Sequence, residues 1–111
     1  MIQQVLNHSD TPLSVLDRRL KAVAHPGRRV MLGAALVGEQ SASELAKTAG
    51  LSRPAASQHL SILLEAGLLQ VRSQGRNRWY LTDPKALDSM RAELSSFWQP
   101  RLDALRKAVE A

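Results

Sequence analysis

Apolar residues recur every three or four positions in several stretches of the chain, and this pattern predicts helices. A first helix follows Pro12 and has an apolar stripe formed by Leu13, Leu16, Leu20 and Val23. A second helix is predicted for residues 26–37, and Gly38 ends it. Its inward face is predicted to carry Val30, Met31, Ala34, and Leu36 or Val37. A third helix is predicted for residues 42–49, because Ser41 and Glu44 have the spacing of a capping box.

Both ends of a fourth helix, predicted for residues 52–66, are marked by residues that favour helix termini. Ser52 suits the N-cap, Pro54 falls in the first turn, and Gly67 suits the left-handed residue after the last turn. Its apolar stripe is formed by Ala56, Leu60, Leu63 and Leu64. A short glycine-containing turn separates the third and fourth helices, as in the helix-turn-helix unit, although an ordinary corner between two helices shares this spacing.

The opposite face of the fourth helix carries small and hydrogen-bonding side chains, with Glu65 as its only acid: Arg53, Ala55, Ser57, Gln58 and Ser61. Small residues let a helix approach a surface closely, and Arg and Gln can each form two hydrogen bonds with one base edge. A helix that lies in a DNA major groove needs these properties in its N-terminal half. We therefore interpret residues 52–66 as a recognition helix.

After Gly67 the apolar residues alternate with polar ones, which predicts a hairpin over residues 69–81 with its turn at residues 74–77. Residues 66–82 contain Arg72, Arg76 and Arg78 and no acid. One interpretation is an exposed hairpin whose cations prevent pairing at its edge. The position directly after a recognition helix favours a second interpretation, the wing of a winged helix.

An N-cap pair, Asp83-Pro84, opens a last helix that is predicted for residues 84–109. Pro100 lies inside it and should kink or locally unwind the chain near residue 96. The apolar stripes of the first and last helices exceed what one small core needs, which predicts a homodimer interface formed by Leu13, Leu16, Leu20, Leu94, Phe97, Trp98, Leu102 and Leu105. A less favoured interpretation has Phe97 and Trp98 lining a pocket between subunits.

Composition adds a charge argument and excludes some chemistry. The 111 residues suit a single domain, predicted as residues 13–111 behind a flexible N-terminal arm of residues 1–12. A net charge of +5 favours nucleic acid as the partner, ahead of a membrane surface.

The chain has no cysteine, so disulfides and thiolate metal sites are excluded, and we expect no metal and no cofactor. The absence of a signal-peptide pattern and of a long apolar run predicts a cytoplasmic protein without membrane contact.

Several cationic residues allow two interpretations. Arg28 and Arg29 form either a solvated basic turn or a clamp for DNA phosphates, and the sequence favours neither. His59 is interpreted as a packed, hydrogen-bonded residue in preference to a phosphate contact. His8 and His25 are interpreted as a surface residue and a locally hydrogen-bonded junction residue. No set of residues forms a catalytic pattern, so we expect no enzyme.

Three segments carry a resemblance to a known family: LKAVAHPGRRVML, SASELAKTAGLSRPAASQHLSILLEAGLLQVR and GRNRWYL. Residues 20–81 resemble the ArsR-type (ArsR/SmtB-like) winged helix-turn-helix repressors of bacteria. The resemblance implies a mainly α fold with a small β-hairpin, in the order α-α-α-α-β-β-α, that dimerises through its first and last helices. It also implies base contacts by Arg53, Pro54, Ser57 and Gln58, and a wing that includes Gly75, Arg76 and Asn77.

The sequence departs from the metal-sensing members of that family. Their cysteine-containing motif on the third helix is replaced by Ser-Glu-Leu-Ala at residues 43–46, and the last helix has no histidine. Asp88 and Glu93 remain there, but two lone carboxylates rarely hold a transition metal. The resemblance therefore implies the fold and DNA binding without metal sensing.

The sequence thus predicts a sequence-specific DNA-binding transcriptional regulator, a repressor that binds an inverted-repeat operator as a homodimer and does not respond to metal. Whether it has a small-molecule effector is left open. Besides the base contacts, we expect contacts with the backbone of double-stranded DNA from Arg28, Arg29, Ser52, Ser61, Arg72, Gly75, Arg76, Asn77 and Arg78. The alternative is a winged-helix module that binds protein and does not bind DNA specifically.

Overall fold

Five helices stand beside a small antiparallel sheet within residues 12–110, the part of the chain that the computed structural model describes, with side chains from residue 15 onwards. The elements follow one another as α1 Pro12–Val23, α2 Pro26–Val37, β1 Gln40–Ser41, α3 Ala42–Ala49, α4 Arg53–Glu65, β2 Leu69–Gln74, β3 Asn77–Thr82 and α5 Pro84–Glu110. The mainly α fold class with a small hairpin is confirmed. The predicted arm before Pro12, with His8, and the Leu13 side chain lie outside the described residues.

The sheet has the strand order β1-β3-β2, so β3 is its central strand. Strand β1 was not predicted: it is two residues long, and its Gln40 and Ser41 pair with Tyr80 and Trp79 far along the chain. Two residues are too few to show an alternating pattern. Alternation along the hairpin gives the sheet an inner face towards the core, with Tyr80 buried, and an outer face that carries Arg72.

The core lies between the helices and the inner face of the sheet. Its largest fully buried side chains are Met31, Leu45, Leu60, Leu63, Leu68 and Thr82. Thr82 is polar, and its hydroxyl donates a hydrogen bond to the carbonyl oxygen of Leu32 at 2.7 Å. Because a buried hydroxyl is costly without a partner, this bond also fixes where the end of β3 meets α2.

The inward face of α2 differs from the predicted one. Met31, Leu32 and Ala35 are buried, whereas Val30 and Leu36 are exposed, and Val37 is 91% exposed. Both sets of residues have helical spacing, so periodicity alone does not choose between them. Val37 lies in the last turn, where the extended Gly38 leads the chain away towards β1. The predicted stripe was therefore wrong except at Met31 and, in part, at the half-buried Ala34.

Helix α3 begins with the predicted capping box. The Ser41 amide donates to Glu44 Oε1 at 2.9 Å, and the Glu44 amide donates to Ser41 Oγ at 3.1 Å. The hydrogen bond from the Ser41 amide lowers the pKa of the Glu44 carboxyl. Gly50 ends the helix in the left-handed region, with φ at 67°, and this turn sets the direction in which α4 starts.

Helix α5 extends well beyond the core. Its buried residues are Ala86 and Met90, Leu94 is half-buried, and the large apolar side chains from Phe97 onwards are exposed, with Leu105 at 62%. The helix is continuous through Pro100, so the local unwinding expected near residue 96 is absent. Its projecting half contributes to a long molecule, with extents of 60 × 41 × 22 Å. None of the helices in the described part of the chain is long and apolar enough to span a membrane.

Candidate nucleic-acid interface

Both ends of α4 are formed as the sequence predicts. Ser52 is an extended N-cap whose Oγ accepts a hydrogen bond from the Ala55 amide at 3.3 Å, and Pro54 lies in the first turn. Beyond the last turn, Gly67 has φ at +75°, a conformation that favours glycine. Burial of Ala56, Leu60 and Leu63 fixes which face of the helix is turned outwards.

Side chains expected to contact bases lie on that outward face. Arg53, Pro54, Ser57 and Gln58 are all exposed, as are Ser52 and Ser61, which were expected to contact the DNA backbone. Arg53 Nη1 donates to Ser43 Oγ at 3.3 Å, which brings the guanidinium to the N-terminal turn of α3. The N-terminal half of α4 therefore presents a mainly polar surface without an acid to a partner.

An open cleft of about 250 Å³ separates the N-terminal half of α4 from the hairpin. Three segments of the chain line it, through Ser41, Ala42, Ser43, Arg53, Ser57, Arg76, Asn77, Arg78 and Tyr80. Gly75 sits at the hairpin turn with φ at 62°. The lining includes three arginines and no acid, so the cleft attracts a polyanion. The structure thus brings the predicted residues of the wing next to those at the start of the recognition helix.

Arg72 faces away from this cleft. Its Nε and Nη2 donate to the two carboxylate oxygens of Glu39 at 2.7 and 3.0 Å, and its Nη1 donates to Gln74 Oε1 at 3.0 Å. Hydrogen bonding within this pair lowers the pKa of Glu39 and raises that of Arg72. Of the hairpin arginines, Arg76 and Arg78 line the cleft, whereas Arg72 is paired on the outer face of the sheet.

Arg28 and Arg29 bind backbone carbonyls at the C-terminal end of α1. Arg28 Nε and Nη2 donate to Ala22 O and Lys21 O at 2.6 and 3.1 Å, and Arg29 Nη1 donates to Val23 O at 2.6 Å. Cations are stabilised at a helix C-terminus, which explains why two arginines are tolerated in the first turn of α2. A phosphate contact by either residue stays a prediction.

Two histidines meet on the side of α4 turned towards α2. The ring centroids of His25 and His59 are 4.3 Å apart. His25 Nδ1 accepts a hydrogen bond from the Gly27 amide at 3.0 Å, and Arg28 Nη1 lies 3.0 Å from His59 Nδ1. Burial, and then the charges of His25 and Arg28, lower the pKa of His59. The favoured interpretation of His59 as a packed, hydrogen-bonded residue is confirmed.

Sequence reasoning missed Ser43 and Glu39 as neighbours of the predicted DNA-contacting arginines. Ser43 lies ten residues before Arg53, and Glu39 lies 33 residues before Arg72. No motif links residues so far apart, and only the approach of α3 and of the loop before β1 brings them together. Among the described side chains, no group of three or more His, Cys, Asp or Glu residues could hold a metal ion.

The fold agrees with the proteins to which this chain is similar. Residues 25–71 match the family model described as "Bacterial regulatory protein, arsR family". The HTH-type transcriptional regulator Rv2034 of Mycobacterium tuberculosis is 35% identical over 95 residues, which cover 86% of this chain and 89% of that protein. The biofilm growth-associated repressor of Agrobacterium fabrum is 29% identical, over 89% of this chain and 92% of that protein.

Solved structures give the same result. The crystal structure of a possible transcriptional regulator for arsenical resistance has a TM-score of 0.67 and 42% identity, and the match covers 83% of this chain and 94% of that one. An ArsR-like transcriptional regulator from Rhodococcus sp. RHA1 has a TM-score of 0.71 and 26% identity, over 86% and 93% of the two chains. The predicted resemblance is confirmed, and the chain belongs to the ArsR family of bacterial DNA-binding transcriptional regulators.

Proposed function

We propose that this regulator is a repressor that binds an inverted-repeat operator as a homodimer, in the cytoplasm. The observation that carries the proposal is the arginine-lined cleft, because it joins the exposed start of α4 to the hairpin in one cationic surface. Two recognition helices related by a two-fold axis enter successive major grooves, so the half-sites lie about one helical turn apart.

Base readout is assigned to the N-terminal half of α4. Arg53 can pair through two hydrogen bonds with guanine, and Gln58 can pair in the same way with adenine. Ser57 is small and lies one helical turn after Arg53, so it can contact a base or a phosphate beside it. Pro54 provides a close apolar approach at the first turn.

Backbone contacts are assigned to the hairpin tip and to the helix ends. Arg76, Asn77 and Arg78 line the cleft, and Gly75 keeps the turn narrow. Ser52 and Ser61 lie exposed at the edges of the recognition surface. Such contacts attract DNA of any sequence through charge and fix the position of the protein on the duplex. Arg72 is left out of this assignment because its donors meet Glu39 and Gln74.

The dimer is assigned to α1 and α5. Leu16, Leu20 and Leu94 are half-buried, and the aromatic and apolar side chains of the projecting half of α5 are exposed: Phe97, Trp98, Leu102 and Leu105. Phe97 and Trp98 pack edge to face, with ring centroids 5.0 Å apart. A symmetric partner would cover both helices with the same surface of its own.

The operator affinities of two variants test the division between base readout by α4 and backbone contacts by the hairpin. We expect Gln58→Ala to cost about 1–3 kcal/mol on the operator and to relax the preference at one base pair. We expect Arg76→Ala to weaken binding to all sequences alike and to reduce the salt dependence by about one counterion. Affinities for the operator and a random duplex across a salt series measure both effects. Equal losses on both duplexes for Gln58→Ala would exclude it as a base reader.

Any effector is proposed to be something other than a metal ion, because the chain has no cysteine to form the thiolate sites used by metal-sensing relatives. Zinc, arsenite and copper are expected to leave operator affinity unchanged. A gel-shift titration with each metal and with a chelator measures this. Release of the operator by stoichiometric zinc, reversed by the chelator, would contradict the assignment.

A further inference from the structure

Arg28 joins three helices through one guanidinium. From α2 it donates to Ala22 O and Lys21 O at the end of α1, and its Nη1 lies 3.0 Å from Nδ1 of His59 in α4. His59 lies between the base-reading half of α4 and its C-terminal half. At the far end of the helix, Arg19 Nε donates to Ala66 O at 3.0 Å. Arginine contacts therefore hold α4 against α1 and α2 in addition to its buried apolar face, and the contact at His59 involves a titratable ring.

The contact at His59 requires a neutral imidazole. A guanidinium is a donor only, so His59 Nδ1 must be the acceptor and its proton must lie on Nε2. His25 is under the same constraint, because its Nδ1 accepts the Gly27 amide at the N-cap of α2. Two rings with centroids 4.3 Å apart thus both hold helix contacts through an unprotonated Nδ1.

Charges around His59 oppose its protonation. His25, at the N-cap of α2, and Arg28, within α2, face the His59 ring, and α1 presents Arg18 and Arg19 to the carbonyls at the C-terminus of α4. Within residues 15–110, neither α3 nor β2 places a charged atom in hydrogen-bond or ion-pair contact with the ring, and no carboxylate pairs with either histidine. Burial, and then the charges of His25 and Arg28, lower the pKa of His59.

We propose that Arg28 and His59 are positioning residues of the recognition helix, and that protonation of His59 releases the base-reading half of α4 from its position. A proton on His59 Nδ1 would turn the Arg28 contact into two donors that face each other. Arg19 would still hold the C-terminal end of α4, so the end that carries Arg53 and Gln58 would move. The proposal rests on the assignment of base readout to α4.

The selectivity for operator over random DNA is the quantity that should change with pH. Added positive charge strengthens the attraction to any DNA, so total affinity is a poor readout. A displaced α4 loses base contacts on the operator only. We therefore expect the ratio of operator to random-duplex affinity to fall about tenfold as the pH is lowered from neutral to well below the ordinary histidine pKa of about 6.5, because one lost base contact has about this size and the pKa of His59 is lowered.

The test compares wild type with His59→Asn at constant ionic strength. Asparagine Oδ1 lies close to the position of Nδ1, accepts from Arg28, does not titrate, and has a helix propensity similar to that of histidine. We expect the selectivity ratio of this variant to stay constant over the same pH range. His25→Asn keeps an N-cap acceptor and removes a charge that lowers the pKa of His59, so the fall in selectivity should move to higher pH. His8→Gln, which removes the third histidine of the chain, should leave the wild-type profile in place.

Two results would overturn the proposal. One is a wild-type ratio that does not change with pH, or changes equally in His59→Asn and His25→Asn. The other is a loss of wild-type selectivity that coincides with loss of helical circular dichroism, since that would reflect global unfolding. Failure of wild type to prefer its operator at neutral pH would instead contradict the proposed function. If His59→Asn does not fold, the His25→Asn profile decides alone.

Discussion

Arginines illustrate what a single residue reveals in sequence and what it does not. The sequence assigns five of them to DNA backbone contacts, but Arg28 and Arg29 hold carbonyls of α1, and Arg72 binds Glu39. Only Arg76 and Arg78 of the five line the cleft. Charge is visible in sequence, whereas the acceptor that a long flexible side chain reaches depends on which elements pack beside it.

Thr82 is expected to matter for stability out of proportion to its size. Thr82→Val keeps the volume but removes the hydroxyl that donates to Leu32 O, which should lower the free energy of unfolding by about 1 kcal/mol. The matched control is Thr48→Val, because Thr48 also donates to a helix carbonyl, that of Glu44, but is exposed. Urea unfolding measures both. Equal effects of the two substitutions would show that the buried bond to α2 contributes no more to stability than the exposed bond of Thr48.

At the scale of elements, prediction succeeded where a residue type determines local geometry. Ser52, Gly50, Gly67 and the capping box mark helix ends in sequence because caps and left-handed turns restrict residue choice. Strand β1 and the inward face of α2 depend on contacts with distant segments instead. For the same reason the two walls of the cleft were predicted as separate motifs, but their approach was not.

The two faces of the hairpin should contribute differently to DNA binding. Arg78 lines the cleft on the inner face and Arg72 is paired on the outer face. We expect Arg78→Ala to reduce the salt dependence of DNA affinity by about one counterion, and Arg72→Ala to leave it unchanged. The two substitutions remove the same charge from paired strands, so each controls for the other. A reduced salt slope for Arg72→Ala would mean that DNA displaces Glu39 from its partner.

At the scale of the whole molecule, the projecting half of α5 requires an explanation that one chain does not provide. From Phe97 onwards its large apolar side chains are exposed, although they keep helical spacing. Sequence periodicity indicates that a face is meant to be covered but cannot say whether the cover comes from the same chain. The extended shape of the molecule agrees with a cover from a second copy.

Leu105→Glu is expected to separate the proposed dimer into folded monomers, because a charge buried at an apolar seam is costly. The control is Lys107→Glu, which introduces an acid on the same helix at another exposed position. Multi-angle light scattering measures the mass of each variant, and circular dichroism checks its helix content. A wild-type protein that is a folded monomer would contradict the proposed dimer. A Leu105→Glu variant that stays dimeric would show that this part of α5 does not form the interface.

Pairing of β1 with β3 has a consequence for the order of folding. It closes a loop of residues 42–78 that contains α3, α4 and the hairpin turn. A chain leaves the ribosome N-terminus first, so both helices emerge before Tyr80 and Trp79 can bind β1. Closing such a loop costs chain entropy, which only the completed sheet and core offset. A growing chain therefore cannot complete the sheet, or the cleft that Tyr80 helps to line, until β3 has been synthesised.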